Sequence, residues 1–361
     1  MSNEFKEFLK KVGSGTHTGR DLSRQGMEVA MGMMLQQEAT PAQIGAFFIA
    51  HRIKRPTPEE LAGMLDAYDD LGPCVPSLPA TLNPWQNRVT VLGCPYDGRS
   101  RTAPVTPITA LILAAAGVPV LMHGGDRMPT KYGIPLTDIW RGLGVDWRAL
   151  SLEETQQVLA STGLGFVYIP KHFLQAADLV PYRDQIGKRP PIASLELIWS
   201  PYAGQTHLVA GFVHPPSEDR FRMTLDLRQQ TCYTTVKGLE GSCDLPRSRT
   251  AIIGVFGSID PDKPQEWERL HLHPEEYGLG GHDVPLESDE KLIEELHAVI
   301  QGESIELTKS AIWNGGFYLW RCGVCPSLES GLEKAAGLLK DKVVSNQLEK
   351  AIDCQSSIVN C

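Results

Sequence analysis

No apolar run in this chain is long enough to cross a bilayer: the longest, around Leu111, is short and interrupted by glycine and proline. The opening Met1-Ser-Asn-Glu-Phe-Lys-Glu7 lacks the basic start and apolar core of a secretory signal. Cysteines do not cluster. Eight are scattered over 361 residues, the usage of reduced thiols and not of a disulfide framework. These absences lead to the expectation of a cytoplasmic protein without membrane partners. Surplus positive charge is also missing. With 34 Lys and Arg against 43 Asp and Glu, the formal net charge is −9, which excludes a broad charge-driven attraction to nucleic acid. There is no internal repeat and no low-complexity tract. Cys322-Gly-Val-Cys325 has no second pair beside it, so it reads as structural and not as a four-ligand zinc site. His271, His273 and His282 are not fixed together by any strand pattern and read as solvent-facing. What remains is an ordinary globular composition, 42% hydrophobic and 21% charged, of a length that suits two domains.

Residues 1–75 read as an all-helical unit. Over 19–36, Leu22, Met27, Val29, Ala30, Met33 and Met34 recur at roughly helical spacing, and the methionines suit core packing or a dimer surface. Thr40-Pro41-Ala42-Gln43 is a capping box with proline at the first helical position, opening a helix through Ile44, Phe47, Phe48, Ala50 and Ile53. Thr57-Pro58-Glu59-Glu60 repeats the signal before Leu61, Met64, Leu65 and Tyr68. A proline-rich stretch at 72–79 closes the unit. The second domain, 76–361, alternates short apolar runs with helical patterns from about residue 88, the signature of an α/β domain. Strands are expected at 89–92, 118–122, 166–169, 207–212, 230–236 and 251–254, and helices at 289–301 and 328–345. The Pro/Gly/His-rich region 261–287 reads as a surface excursion, and Cys354 to Cys361 carries no strong signal.

The densest chemistry lies between Val89 and Arg127. An apolar strand enters a loop with Gly93, Asp97 and Gly98; an Ala/Leu-rich helix follows, then a second strand and a His123-Gly124-Gly125 turn. Such a strand–loop–helix–strand unit lets backbone N–H groups approach an oxyanion, so it reads as an anion site at the end of a parallel sheet. Arg99, Arg101, Arg127, Lys131, Lys171, Arg183, Lys188 and Arg189 fall in the surrounding loops, a local basic groove that the overall acidity does not exclude. Asp97 suits either a turn or a metal-linked water. His123 suits either a group that orients a substrate ring or a strand-end histidine bonded to backbone.

These segments resemble the anthranilate phosphoribosyltransferase family, which shares its fold with the pyrimidine nucleoside phosphorylases. The resemblance spans nearly the whole chain and is carried by Glu38 to Lys54 with Thr57 to Gly63, Asp138 to Val145, Gly165 to His172, Arg183 to Arg189, and Trp313 to Leu319. It implies a small helical N-terminal domain joined to a larger α/β domain, and a homodimer formed through the helical one. Some motifs depart from the family pattern. Its diphosphate loop runs Gly-Thr-Gly-Gly-Asp-Gly, and here Gly93-Cys94-Pro95-Tyr96-Asp97-Gly98 replaces a backbone donor by proline and adds the bulk of Tyr96. The family's Asn-Ile-Ser-Thr becomes Ala103-Pro104-Val105-Thr106, and a phosphate-binding lysine is lost before His123 and Arg127. The Asp-Glu pair that organises magnesium becomes Cys243-Asp244, with Glu240 nearby as a substitute carboxylate, so the resemblance implies only a weak Mg2+ site. The 189–202 segment looks like a divergent branch, the second anthranilate-phosphoribosyltransferase-like group, some of whose members bind nucleic acid.

Two readings follow. In the first, phosphoribosyl diphosphate sits over Gly93, Asp97, Gly98, Arg101 and Thr106, and a nitrogenous aromatic acceptor sits near His123, Arg127, His172 and Arg183. Arg183 matches the family arginine that faces the acceptor's carboxylate. In the second, a non-catalytic relative uses the same interdomain cleft to bind a phosphorylated ligand or single-stranded nucleic acid.

Overall fold

Local capping sets the first helices. In the computed structural model, which describes residues 3–15, 18–79, 88–257 and 266–359, helices Asn3–Gly13, Arg24–Leu35, Pro41–Lys54 and Pro58–Leu71 form the N-terminal unit. Thr40 and Thr57 both close the expected capping boxes, with Gln43 and Glu60. The helix expected from residue 19 begins later, at Arg24, because Ser23 caps it by accepting from the Gly26 N–H and the Leu22 N–H is held at 2.9 Å by the Glu60 carboxylate. Gly63 lets this helix lie against Pro58–Leu71: a Cβ there would sit 2.1 Å from the Arg24 carbonyl oxygen.

A seven-stranded sheet forms the second domain. Its strands are β1 Arg88–Gly93, β2 Val120–Gly124, β3 Leu164–Tyr168, β4 Gln205–Gly211, β5 Tyr233–Val236, β6 Ala251–Phe256 and β7 Trp267–Leu272, in the order β3-β2-β1-β4-β5-β6-β7. β1 to β5 pair in parallel, while β6 and β7 add antiparallel. β7 occupies part of the region read as a surface excursion, whose residues 261–265 lie outside the described set; its alternation of Glu268, Arg269 and His271 hides a strand that only pairing with β6 reveals. β2 starts two residues later than expected and carries His123 and Gly124 inside the sheet. The helix expected over 328–345 is two, Leu328–Lys340 and Val343–Val359, divided where Lys342 turns to φ 59°. The second runs through most of the stretch that gave no signal; Asn360 and Cys361 lie outside the described residues.

Both faces of the sheet are covered, as parallel strands require. Helices Thr106–Ala115 and Glu306–Arg321 pack one face with Leu92, Met122 and Phe166. The N-terminal helices share a core with Val91, Leu121, Val167 and Leu208 on the other. Chain order reverses at β1, with β2 on one side and β4 on the other. In open α/β sheets that switch point, beyond the carboxyl ends of the strands, is where ligands bind. No helix among the described residues is long and apolar enough to cross a membrane.

Candidate functional site

The loop leaving β1 is shaped by two glycines. A Cβ at Gly93 would lie 2.1 Å from the Leu197 carbonyl oxygen, so only glycine admits the 192–199 segment over the strand end. Gly98 adopts φ 73°, and a Cβ there would meet the Ile134 carbonyl oxygen at 2.5 Å. The turn delivers Arg99 into a bridge with Ile134, and the chain then runs through Ser100–Thr102 to Thr106, the first residue of helix Thr106–Ala115.

Inside this loop lies an ion cluster that closes it. Glu240, almost fully buried, turns its carboxylate onto three consecutive backbone N–H groups, those of Ser100 at 3.2 Å and of Arg101 and Thr102 at 3.0 Å each. The Thr102 hydroxyl donates at 3.0 Å, Arg99 Nε at 3.2 Å and Lys131 Nζ at 2.5 Å. Burial pushes the Glu240 carboxyl up, but the bonds and charges of Lys131 and Arg99 and the Arg101 N–H outweigh it and hold it well below the usual carboxylate range. Asp244 is buried beside it: its oxygens accept from Thr106 Oγ1 at 2.8 Å, Arg99 Nη1 at 2.8 Å and the Val105 N–H at 3.0 Å. Arg99 thus lies between the two carboxylates expected to serve magnesium. A divalent cation needs free oxygen lone pairs, and here N–H and O–H donors aim at all four carboxylate oxygens. Among the described residues no group of three or more His, Cys, Asp or Glu is placed to hold a metal. The arrangement does not fit a metal ion.

Behind the loop, the expected acceptor region is filled by side chains. Tyr96 is buried and its hydroxyl meets His123 Nδ1 at 2.5 Å. His123 packs edge-on against Trp199, which continues to Tyr68 and Phe173. Burial takes the His123 pKa down to about 3, so the imidazole is neutral. Arg183 is buried and ion-paired with the equally buried Glu196, and its Nη1 donates to Met128 Sδ at 2.9 Å. Burial lowers its pKa to about 10, which leaves it charged at neutral pH.

The structure brings Gly93, Asp97, Gly98, Thr106, Glu240 and Asp244 together, with Tyr96, His123 and Arg183 behind them. Arg101 contributes its backbone N–H, while its side chain is 77% exposed. His172 lies elsewhere: Nδ1 accepts the Tyr168 N–H at 3.1 Å and Nε2 donates to the Leu150 carbonyl at 3.0 Å, so both ring nitrogens hold the turn after β3. Arg127 is on the surface, paired with Asp289 and bonded to the Tyr132 carbonyl at 3.0 Å.

In front of the loop opens a cleft of about 740 Å3 between the N-terminal helices and the sheet domain. Arg52, Arg55, Arg189 and Arg220 line it, with His214 and Gly241. Arg52 Nε donates across it to the Arg189 carbonyl at 3.0 Å, and Arg189 Nη2 approaches Asp97 at 3.6 Å. Among the described residues, no carboxylate lies within 4.0 Å of the Arg52, Arg55 or Arg220 guanidinium. Burial and the facing Arg55 charge lower the Arg220 pKa, against the opposing charge of Asp219 beside it in the chain. Sequence reasoning found Arg189 but missed the other three. The available signal was Arg52 and Arg55 at the end of a capped helix, and Arg220 one turn into the helix after β4.

A family model described as the glycosyl transferase family helical bundle domain matches residues 6–72, and one for the family's a/b domain matches 97–342. The chain belongs to this glycosyl transferase family. Its relatives include the anthranilate phosphoribosyltransferase of Rhizobium rhizogenes, 26% identical over 355 residues and 97% of each chain. That of Paracidovorax citrulli is 24% identical over 336 residues, 92% of this chain and 93% of its own. Among solved structures, anthranilate phosphoribosyltransferase from Thermus thermophilus superposes with a TM-score of 0.76 at 19% identity, covering 98% of this chain and 100% of that one. The Saccharomyces cerevisiae enzyme in complex with PRPP and Mg gives 0.81 at 16% identity and 99% of each chain. The glycosyl transferase family therefore has here an anthranilate phosphoribosyltransferase-like member, with a helical N-terminal bundle and a mixed α/β sheet domain.

Proposed function

We propose that this member of the glycosyl transferase family binds a phosphorylated ligand in its interdomain cleft and does not transfer phosphoribose to anthranilate. The observation that carries the reading is the set of four arginines around one cleft, three of them with no carboxylate within 4.0 Å among the described residues. Guanidinium groups facing one another repel, and a phosphoryl group between them relieves that repulsion through charge-assisted hydrogen bonds. The transferase alternative needs an open diphosphate loop and an open acceptor pocket. Glu240 occupies the loop's donors, and Tyr96, Trp199 and the Arg183–Glu196 pair fill the space behind. PRPP and Mg bound to the yeast enzyme make phosphoribosyl diphosphate the natural first probe.

Calorimetric titration with phosphoribosyl diphosphate tests this. The expected result is binding that magnesium does not enhance and that Arg189→Ala/Arg220→Ala weakens by at least about tenfold, the worth of one charge-assisted hydrogen bond. Pyrophosphate release in the presence of anthranilate would refute the reading. Binding of a single-stranded oligonucleotide that falls steeply with salt would instead identify the phosphorylated ligand as nucleic acid.

A further inference from the structure

The Glu240 carboxylate is coordinated as a bound oxyanion is. Three successive backbone N–H groups, a threonine hydroxyl, a guanidinium and an ammonium converge on two oxygen atoms. Consecutive N–H groups of this kind form an anion-binding concavity whatever the anion is. The carboxylate reaches them from 138 or more residues away in the chain, on a short turn whose backbone is itself unusual. Glu240 holds φ 55°, a conformation that favours glycine, and Gly238 and Gly241 flank it. Gly211 is what lets that turn approach β4, since a Cβ there would lie 2.2 Å from the Gly241 carbonyl oxygen. The turn therefore holds a strained residue in place and puts its charge where six donors meet.

We propose that Glu240 is an internal anion seated in an oxyanion site built for a phosphate or pyrophosphate group, and that this side chain keeps the site closed. Arg99 serves it as the resident cation, bridging Glu240 and Asp244. When the carboxylate is taken away, Lys131 and the 100–102 N–H groups lose their anion, and Arg99 keeps only its Asp244 partner, leaving a concavity of donors facing an empty position. None of the four cleft arginines pairs with Glu240, although its neighbour Gly241 lines the cleft, so the test is run with the cleft disabled.

The test uses full-length protein carrying Arg189→Ala/Arg220→Ala, so that pyrophosphate binding in the cleft is suppressed, titrated with inorganic pyrophosphate in chelator-containing buffer. Adding Glu240→Gly, which suits the backbone conformation, is expected to create binding at least about tenfold tighter than in the parent, with acetate competing for the site. Glu240→Gln fills the same volume and is expected to remain closed. A folded Glu240→Gly protein that binds no pyrophosphate would overturn the proposal, as would equal binding by the Gly and Gln variants. If Glu240→Gly is unfolded in plain buffer, pyrophosphate is expected to restore its circular dichroism; failure to restore it also overturns the proposal. Loss of phosphoribosyl diphosphate binding in the cleft variants bears only on the proposed function, so the two fail independently.

Discussion

Replacing Arg183 by Met should destabilise the protein severely, and the reason lies in its partner. Arg183 is 4% exposed and Glu196 1% exposed, so both charges are out of water; Glu196 is the ion-pair partner of Arg183, whose charge is also favoured by Asp97 and opposed by Arg189. One Glu196 oxygen already lacks a hydrogen-bond partner among the described residues. Truncating Arg183 leaves a buried, uncompensated carboxylate, a change that costs about 3–5 kcal/mol. Replacing both residues, Arg183→Met with Glu196→Leu, removes the buried charge along with its partner and should return stability to within about 1 kcal/mol of the original protein. The assay is urea unfolding at neutral pH followed by tryptophan fluorescence, since Trp199 stands in the same aromatic cluster. The four proteins of the cycle give the coupling between the two side chains directly. If Arg183→Met alone costs less than about 1 kcal/mol, the guanidinium is not held by Glu196 in solution, and the argument that the acceptor pocket is filled from within fails.

Other expectations follow from the same geometry. Burial raises the Glu60 carboxyl, but His51, the Leu22 N–H and Lys54 bring it from its usual 4.5 to about 2. A depressed folded-state pKa gives stability that is present above the unfolded value and lost as pH falls toward the folded one. Glu60→Gln should therefore cost about 3 kcal/mol at pH 7 and progressively less between about pH 5 and pH 2, measured by unfolding at a series of pH values. Gly98→Ala, forced to φ 73° against the 133–134 backbone, should lose at least about 2 kcal/mol in the same assay. Arg99→Ala leaves Asp244 and Glu240 facing each other, so its thermal midpoint should fall and then partly recover with millimolar magnesium; the unmodified protein's midpoint should not respond to magnesium.

What the sequence revealed depended on how local each signal was. Thr40 and Thr57 announce their helices within four residues, and the structure places both boxes as read. The parallel strands stand out because both faces are buried and most of their residues are apolar, with Thr90, His123, His207, Thr234 and Thr235 buried among them. Helix Glu306–Arg321 was harder to see because Gly315 and Gly316 interrupt its pattern. Their purpose is tertiary: a Cβ at Gly316 would lie 2.7 Å from Leu332 Cα on the neighbouring helix. At the site, the glycines and Thr106 could be placed from the loop alone. The pairing of Arg99 with residues 141 and 145 positions away could not, nor could the meeting of Arg220 with Arg55 across the cleft. Glu240 was read as a weak metal ligand because a carboxylate in a motif suggests a cation; only the fold shows that it receives hydrogen bonds from the Arg101 and Thr102 N–H groups.

The most direct test of the central claim is a crystal structure of the protein soaked with phosphoribosyl diphosphate and magnesium. The account predicts the diphosphate among Arg52, Arg55, Arg189 and Arg220, with Glu240 still on the 100–102 N–H groups and Tyr96 still against His123. A diphosphate lying over Gly93 to Gly98, with a metal on Asp244 and Glu240 displaced, would contradict it.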